Sequence, residues 1–134
     1  LLDKEEYDGR VLKTISMLLD KMPQEHDYKV IFMIRPLVEI AQSQEKMIDR
    51  LGTEGAQLKQ RDLVRGLKDH RQKTLDWANA AEHMEVMQVS YPNLISKPSK
   101  IIPEITEFLG SHLSNPDKMI SAIDESLYRN RLKK

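Results

Sequence analysis

The sequence contains no cysteine among its 134 residues. This absence excludes disulfide bonds, iron–sulfur clusters, thiolate zinc sites and cysteine nucleophiles. It fits the reducing cytoplasm, and we expect a cytoplasmic location. His83 and His112 have no partner at the spacing of metal ligands, so we predict no metal site.

Long apolar segments and an excess of one charge are also absent. The longest apolar run covers residues 30–34, whereas a helix that crosses a bilayer needs about 20 apolar residues. Lys and Arg total 21 and Asp and Glu total 21, so the formal net charge is zero. We therefore expect no membrane span and no nucleic-acid partner.

Three short segments have the composition of buried strands. Residues 10–14 end in a β-branched threonine, residues 29–34 are nearly all apolar, and residues 85–90 alternate valine with polar neighbours. Runs without a clean alternation are typical of a sheet that is covered on both faces. Because helical patterns separate these segments, the sequence predicts an α/β fold with a parallel sheet and flanking helices.

Four longer helices are predicted from apolar spacing and from start and stop residues. The first begins after Pro36 and stops at Gly52, and the second spans residues 56–84, with a break near Gly66 as an alternative. The third runs from Pro98 to Gly110, and the fourth starts at Asn115-Pro116. Pro103 inside the third helix marks either a kink or its true first turn. In the second helix, His70 is expected in or beside the core, Trp77 as a packing anchor, and the charged run 59–73 on the solvated face.

The length is that of one domain, so residues 1–134 are predicted to form a single domain. Three strands are few for an α/β sheet. The chain also starts without an initiator Met or a signal region. We therefore expect part of a larger domain, whose open apolar surface favours a homo-oligomer.

Arg35 is the first candidate for ligand binding. It ends the most apolar segment, and Pro36 pushes it into an extended conformation at the carboxyl end of a strand, where α/β proteins bind ligands. Ser43, eight residues later, lies at the border of the apolar stripe of the following helix. A guanidinium and a hydroxyl suit a phosphate dianion. The alternative is that Arg35 pairs with Glu39 and that Ser43 is an ordinary surface residue.

The segment 28–44 resembles the 3′-phosphate-binding strand and helix of the sulfotransferase family, which uses 3′-phosphoadenosine-5′-phosphosulfate (PAPS). In that family an Arg ends the strand and a Ser follows eight residues later, which are the positions of Arg35 and Ser43. Residues 10–14 resemble the strand that ends in Lys-Thr, with Lys13 at the lysine position. The sequence Ser-Gln-x-x-Met after Arg35 is similar to the bacterial branch.

The resemblance continues in order over about residues 10–110. Tyr91-Pro92-Asn93-Leu94 is similar to the Tyr-x-x-Leu segment of the family, and the helix that ends in Phe-Leu-Gly at residue 110 has a counterpart there as well. A late arginine-rich segment of the bacterial branch corresponds to Arg129 and Arg131.

The resemblance implies a P-loop-NTPase-like, sulfotransferase-type sheet and transfer of a sulfuryl group from PAPS to a hydroxyl or amine acceptor. It implies that Arg35 and Ser43 bind the 3′-phosphate of PAPS or of adenosine 3′,5′-bisphosphate, with Arg129 and Arg131 as further nucleotide contacts. Lys13 would neutralise charge near the bridging oxygen, and Tyr91 would line the adenine pocket. The acceptor is not implied.

Two departures from the family pattern keep other functions open. The Gly/Ser/Thr-rich loop that cradles the 5′-phosphosulfate is missing, and Ile15 stands where many members have a histidine base. His26 is the nearest other histidine, in a loop expected to be exposed. One alternative is a catalytically degenerate domain that acts in protein interaction. Another is a different phosphonucleotide enzyme, such as a kinase of the P-loop class.

Overall fold

The computed structural model describes residues 9–51, 60–110, 115–129 and 131. Helices dominate, and a small parallel sheet joins them into an α/β fold. The α-helices and strands, in chain order, are β1 Tyr28–Ile34, α1 Leu37–Leu51, α2 Gln60–Ala80, β2 Met84–Ser90, α3 Tyr91–Ser96, α4 Pro98–Leu109 and α5 Pro116–Ser121. Two 3₁₀ helices, Ser16–Lys21 and Glu125–Leu127, lie near the two ends of the described chain.

The sheet consists of β1 and β2, which run parallel and in register from the Tyr28–Met84 pair to the Ile34–Ser90 pair. The connection between them contains α1 and α2, as a parallel pair requires a long crossover. Because the strands are parallel, their carboxyl ends lie side by side at one edge of the sheet. Arg35 and Tyr91, which follow the two strands, are therefore brought to the same edge.

The core lies where α2 packs against the amino-terminal 3₁₀ helix and the start of β2. Ala78 is fully buried there, with Leu19 and Met84 beside it. A methyl side chain at position 78 lets the helix approach its neighbours closely. Trp77 packs against this cluster from its margin, so the prediction of a packing anchor is confirmed.

The predicted start and stop residues of the later helices are confirmed. Pro98 occupies the first turn of α4, and Gly110 ends it with φ at 89°, a value that side chains with a Cβ rarely adopt. Pro103 lies inside α4. The side chain of Asn115 caps α5 by accepting a hydrogen bond from the backbone N–H of Lys118 at 3.1 Å.

The predicted strand at residues 10–14 is wrong. These residues form no regular element, and Val11 remains 90% exposed. A strand needs a ladder partner, and in the described part of the chain β1 pairs only with β2. The alternative break near Gly66 does not occur either, since α2 continues through it.

His26 also differs from expectation, because it is 95% buried and not exposed, its relative exposure being 5%. Its ring lies 6.3 Å from the ring of Tyr28, centroid to centroid. The prediction for His112, the stop at Gly52 and residues 56–59 of the long helix fall outside the described residues. Across the described ranges, every helix is too short or too polar to cross a membrane.

Candidate functional site

A cavity of about 390 Å³ opens at the carboxyl ends of the two strands. It is the place at which a ligand is expected in an open α/β sheet. Residues from the ends of both strands and from α1, α2 and α3 line it, namely Ile34, Arg35, Pro36, Leu37, Val38, Arg71, Ser90 and Pro92. Its mixture of apolar walls and cationic side chains is that of a site for an organic anion.

Arg35 lies at the margin of this cavity and is held by two partners. Its Nε donates to Oε2 of Glu39 at 2.8 Å, one turn later in the chain. A terminal nitrogen of the same guanidinium donates to the backbone carbonyl of Arg129. The alternative in which Arg35 pairs with Glu39 is thus confirmed, and the ion pair lies beside the cavity and not away from it.

Glu39 is the buried partner in this cluster, with a relative exposure of 2%. The hydroxyl of Tyr128 donates to the same carboxylate, 2.8 Å from Oε2 and 3.1 Å from Oε1. A buried carboxylate requires such compensation, because its transfer from water is costly unless it is paired and hydrogen-bonded. Arg35, four residues before Glu39, and Tyr128, 89 residues after it, supply that compensation.

The environment of Tyr128 raises its pKa above the usual 10.0. Burial makes the largest contribution, followed by the hydrogen bond to Glu39 and the negative charge of that residue. The positive charges of Arg35 and Arg131 act in the opposite direction. The neutral phenol, which can donate to Glu39, is therefore the favoured form.

Aromatic rings surround the guanidinium of Arg35. Its Cζ lies 5.7 Å from the ring centroid of Tyr91 and 4.9 Å from that of Tyr128. The two rings pack edge to face with centroids 5.0 Å apart. Arg131 approaches Tyr128 as well, with its Cζ 4.7 Å from the ring centroid. These cation–π contacts join the end of the chain to the start of α1 and α3.

A second guanidinium reaches the cavity from α2. Nη1 of Arg71 lies 3.4 Å from the backbone carbonyl of Arg35, and the side chain is half-buried. Among the described residues, no carboxylate lies within ion-pair distance of Arg71. Two arginines therefore line the cavity, and the carboxylate of Glu39 pairs with one of them.

The structure brings several of the candidate residues together and leaves others apart. Arg35 lines the cavity and its guanidinium contacts the ring of Tyr91. Arg129 accepts from Arg35 with its backbone carbonyl, and Arg131 contacts Tyr128. Ser43 is exposed on α1 and does not line the cavity. Lys13 is exposed in the irregular amino-terminal segment, and within the described ranges no contact joins it to Arg35 or Tyr91.

His26 is not placed to act as a base on a ligand beside Arg35. It packs beside Tyr28, the first residue of β1, whereas Arg35 follows the last residue of the same strand. A strand of 7 residues spans about 20 Å. The two residues therefore lie at opposite ends of the sheet.

Arg71 and Tyr128 were not among the predicted site residues. A signal for Arg71 is present, since it stands four residues before Leu75 and seven before Ala78, both buried. This spacing places Arg71 on the inward face of α2 and not on the solvated face. Tyr128 carries no comparable local signal, because its partner Glu39 is 89 residues away.

Comparison of the chain with protein-family models, with curated proteins and with solved structures found no match.

Proposed function

We propose that this chain is a sulfotransferase-type domain of the P-loop-like class that binds the adenosine 3′,5′-bisphosphate portion of PAPS. The cavity beside Arg35 is the observation that supports this most directly. It lies at the carboxyl ends of parallel strands and contains a cationic side chain at the position that the family resemblance assigns to the 3′-phosphate. Tyr91, which the resemblance assigns to the adenine pocket, lies against the same guanidinium.

In this proposal Arg35 exchanges part of its present bonding for the ligand. The carbonyl of Arg129 is a neutral acceptor, and a phosphate oxygen is a stronger one because it is charged. The Nε contact to Glu39 remains and keeps the guanidinium plane fixed. Arg129 and Arg131, at the edge of the site, add positive charge for the same ligand.

Sulfuryl transfer to a hydroxyl or amine would pass through a loose in-line transition state, like phosphoryl transfer. The sequence has no Gly/Ser/Thr-rich cluster to cradle the 5′-phosphosulfate, so we propose that this chain supplies the 3′-phosphate side of the reaction. The role of Lys13 beside the sulfuryl group stays a prediction that requires its segment to approach the cavity. The lack of cysteine supports a cytoplasmic location.

Two observations favour a second candidate, a degenerate domain that acts in protein interaction. Arg35 is already engaged by Glu39, and Ser43 lies outside the cavity. In such a domain the cluster around Arg35 would only stabilise the fold.

Isothermal titration calorimetry separates the two functions. The full chain is titrated with adenosine 3′,5′-bisphosphate and with adenosine 5′-monophosphate, and the same titrations are made for Arg35→Lys, Ser43→Ala and the exposed-residue control Arg61→Ala. The proposal predicts a preference of about tenfold or more for the bisphosphate, since one charge-assisted hydrogen bond contributes about 1.5–3 kcal/mol. Arg35→Lys should remove most of this preference, and Arg61→Ala should keep it. Equal affinities in the wild type would favour the interaction domain.

A further inference from the structure

Arg71 has a position that a merely structural arginine does not need. It lies on the inward face of α2, one turn before the buried Leu75, yet its guanidinium ends at the cavity. Its one described hydrogen bond, to the carbonyl of Arg35, is long at 3.4 Å. A half-buried guanidinium has five N–H donors to satisfy, and this contact uses one of them. The remaining donors are available to a ligand.

The charges around the cavity also leave Arg71 uncompensated. The carboxylate of Glu39 accepts hydrogen bonds from Arg35 and Tyr128. Within the described ranges no acidic side chain forms an ion pair with Arg71. The charge of Arg35 is compensated by Glu39, so the charge of Arg71 is the one at the cavity without a described counter-charge. An anion bound in the cavity would compensate this charge.

Ser90 supplies a further polar group to the lining of the cavity. It ends β2 and caps α3, accepting a hydrogen bond from the backbone N–H of Asn93 at 3.4 Å. A hydroxyl that accepts in this way still has its own proton to donate. Ser90 and Arg71 both line the cavity, so they present an O–H and N–H donors to the same space.

We propose that Arg71 and Ser90 form a second oxyanion-binding contact in this cavity, which binds a phosphate or sulfate group of the ligand directly. This contact is additional to the one assigned to Arg35 and lies at the end of β2. Its assignment to a nucleotide rests on the proposed function, whereas the anion contact itself rests only on the cavity and its donors. The volume of about 390 Å³ is within the usual range of about 300–1,000 Å³ for small-molecule sites.

The test uses inorganic pyrophosphate, which has no adenosine and therefore probes the anion contact alone. Pyrophosphate is titrated into the wild-type 134-residue chain, into Arg71→Gln and Arg71→Lys, and into Arg65→Gln as the matched control. Arg65 lies on the same helix and is exposed. We expect the affinity to fall about tenfold in Arg71→Gln and less in Arg71→Lys, and to be unchanged in Arg65→Gln. The salt dependence of binding should also weaken in Arg71→Gln, which a structural role would not produce.

Thermal unfolding with and without pyrophosphate keeps the test informative if Arg71→Gln is less stable than the wild type. Pyrophosphate should raise the melting temperature of the wild type and of Arg65→Gln more than that of Arg71→Gln. Equal affinity in Arg71→Gln and the wild type, or no pyrophosphate binding by the wild type, would overturn the proposal. Arg71-dependent pyrophosphate binding without a preference for adenosine 3′,5′-bisphosphate would support this contact and reject the nucleotide function.

Discussion

Tyr128 and Glu39 are 89 residues apart in the chain, and the phenolic oxygen lies 2.8 Å from Oε2 of the buried carboxylate. Oε2 of Glu39 also accepts a hydrogen bond from Nε of Arg35. One carboxylate therefore connects the end of the chain to the arginine at the end of β1. This connection fixes the guanidinium of Arg35 at the cavity, so the stability of the fold and the geometry of the candidate site depend on a common group.

Replacement of this carboxylate should destabilise the protein. Glu39→Gln keeps the size of the side chain and removes its charge, so that Arg35 loses its ion pair and Tyr128 loses a charged acceptor. We expect the free energy of unfolding to fall by about 3 kcal/mol, the size of effect seen when one partner of a buried pair is removed. Urea unfolding measures it.

The control for Glu39→Gln is Glu107→Gln on α4, where the glutamate is exposed. Its effect should stay within about 0.5 kcal/mol. If both variants unfolded at the same urea concentration as the wild type, Glu39 would have no special role in the cluster.

The hydroxyl of Tyr128 should make stability depend on pH in the alkaline range. Burial and Glu39 raise its folded-state pKa above 10.0, which is close to the value in the unfolded chain. A raised pKa stabilises the folded state fully below about pH 10, and this contribution is lost as the pH rises through the folded-state pKa. The wild type should therefore lose stability above pH 10 more steeply than Tyr128→Phe, which keeps the ring and lacks the ionisable group.

Urea unfolding of both proteins at about pH 9 and about pH 11 gives the change in the free energy of unfolding with pH for each protein. The comparison cancels the titration of lysines, which both proteins share. Parallel slopes for the wild type and Tyr128→Phe would show that the phenol titrates alike in the folded and unfolded states.

Gly66 offers a test of the fold that does not involve the site. It lies inside α2, and a Cβ added there would meet no atom within 4 Å. Gly66→Ala should therefore stabilise the protein by about 1 kcal/mol, the difference between the two residues inside a helix. Gly110→Ala is the opposite case, because φ at 89° strains an alanine, and it should destabilise by about 1–3 kcal/mol.

Differential scanning calorimetry of the two alanine variants measures whether each substitution stabilises or destabilises the protein. The melting temperature should rise for position 66 and fall for position 110. A fall for both variants would mean that α2 is not a continuous helix at Gly66.

The parts of the fold that depend on local pattern could be predicted from the sequence. The two strands could be located because β1 is a nearly continuous apolar run and β2 alternates valine with polar neighbours. Pro98 and Gly110 mark the ends of α4 by their own backbone preferences. The strand expected at residues 10–14 was wrong because a strand also depends on a partner, which local pattern does not reveal.

In the candidate site too, features set by local sequence could be predicted, and contacts between distant residues could not. Arg35 and Tyr91 could be predicted because each directly follows a strand, and parallel strands bring their ends together. Glu39 was foreseen only as the alternative partner of Arg35. The pairing of Glu39 with Tyr128 joins distant parts of the chain, so neither spacing nor periodicity could indicate it.

An NMR titration of the assigned, ¹⁵N-labelled 134-residue chain with adenosine 3′,5′-bisphosphate tests the central claim most directly, because it reports where the ligand binds. The account predicts saturable shifts centred on the backbone amides of residues 34–38, with accompanying shifts at Ser90 and Tyr91. Saturable shifts confined to another surface, or no shifts at these positions, would contradict it.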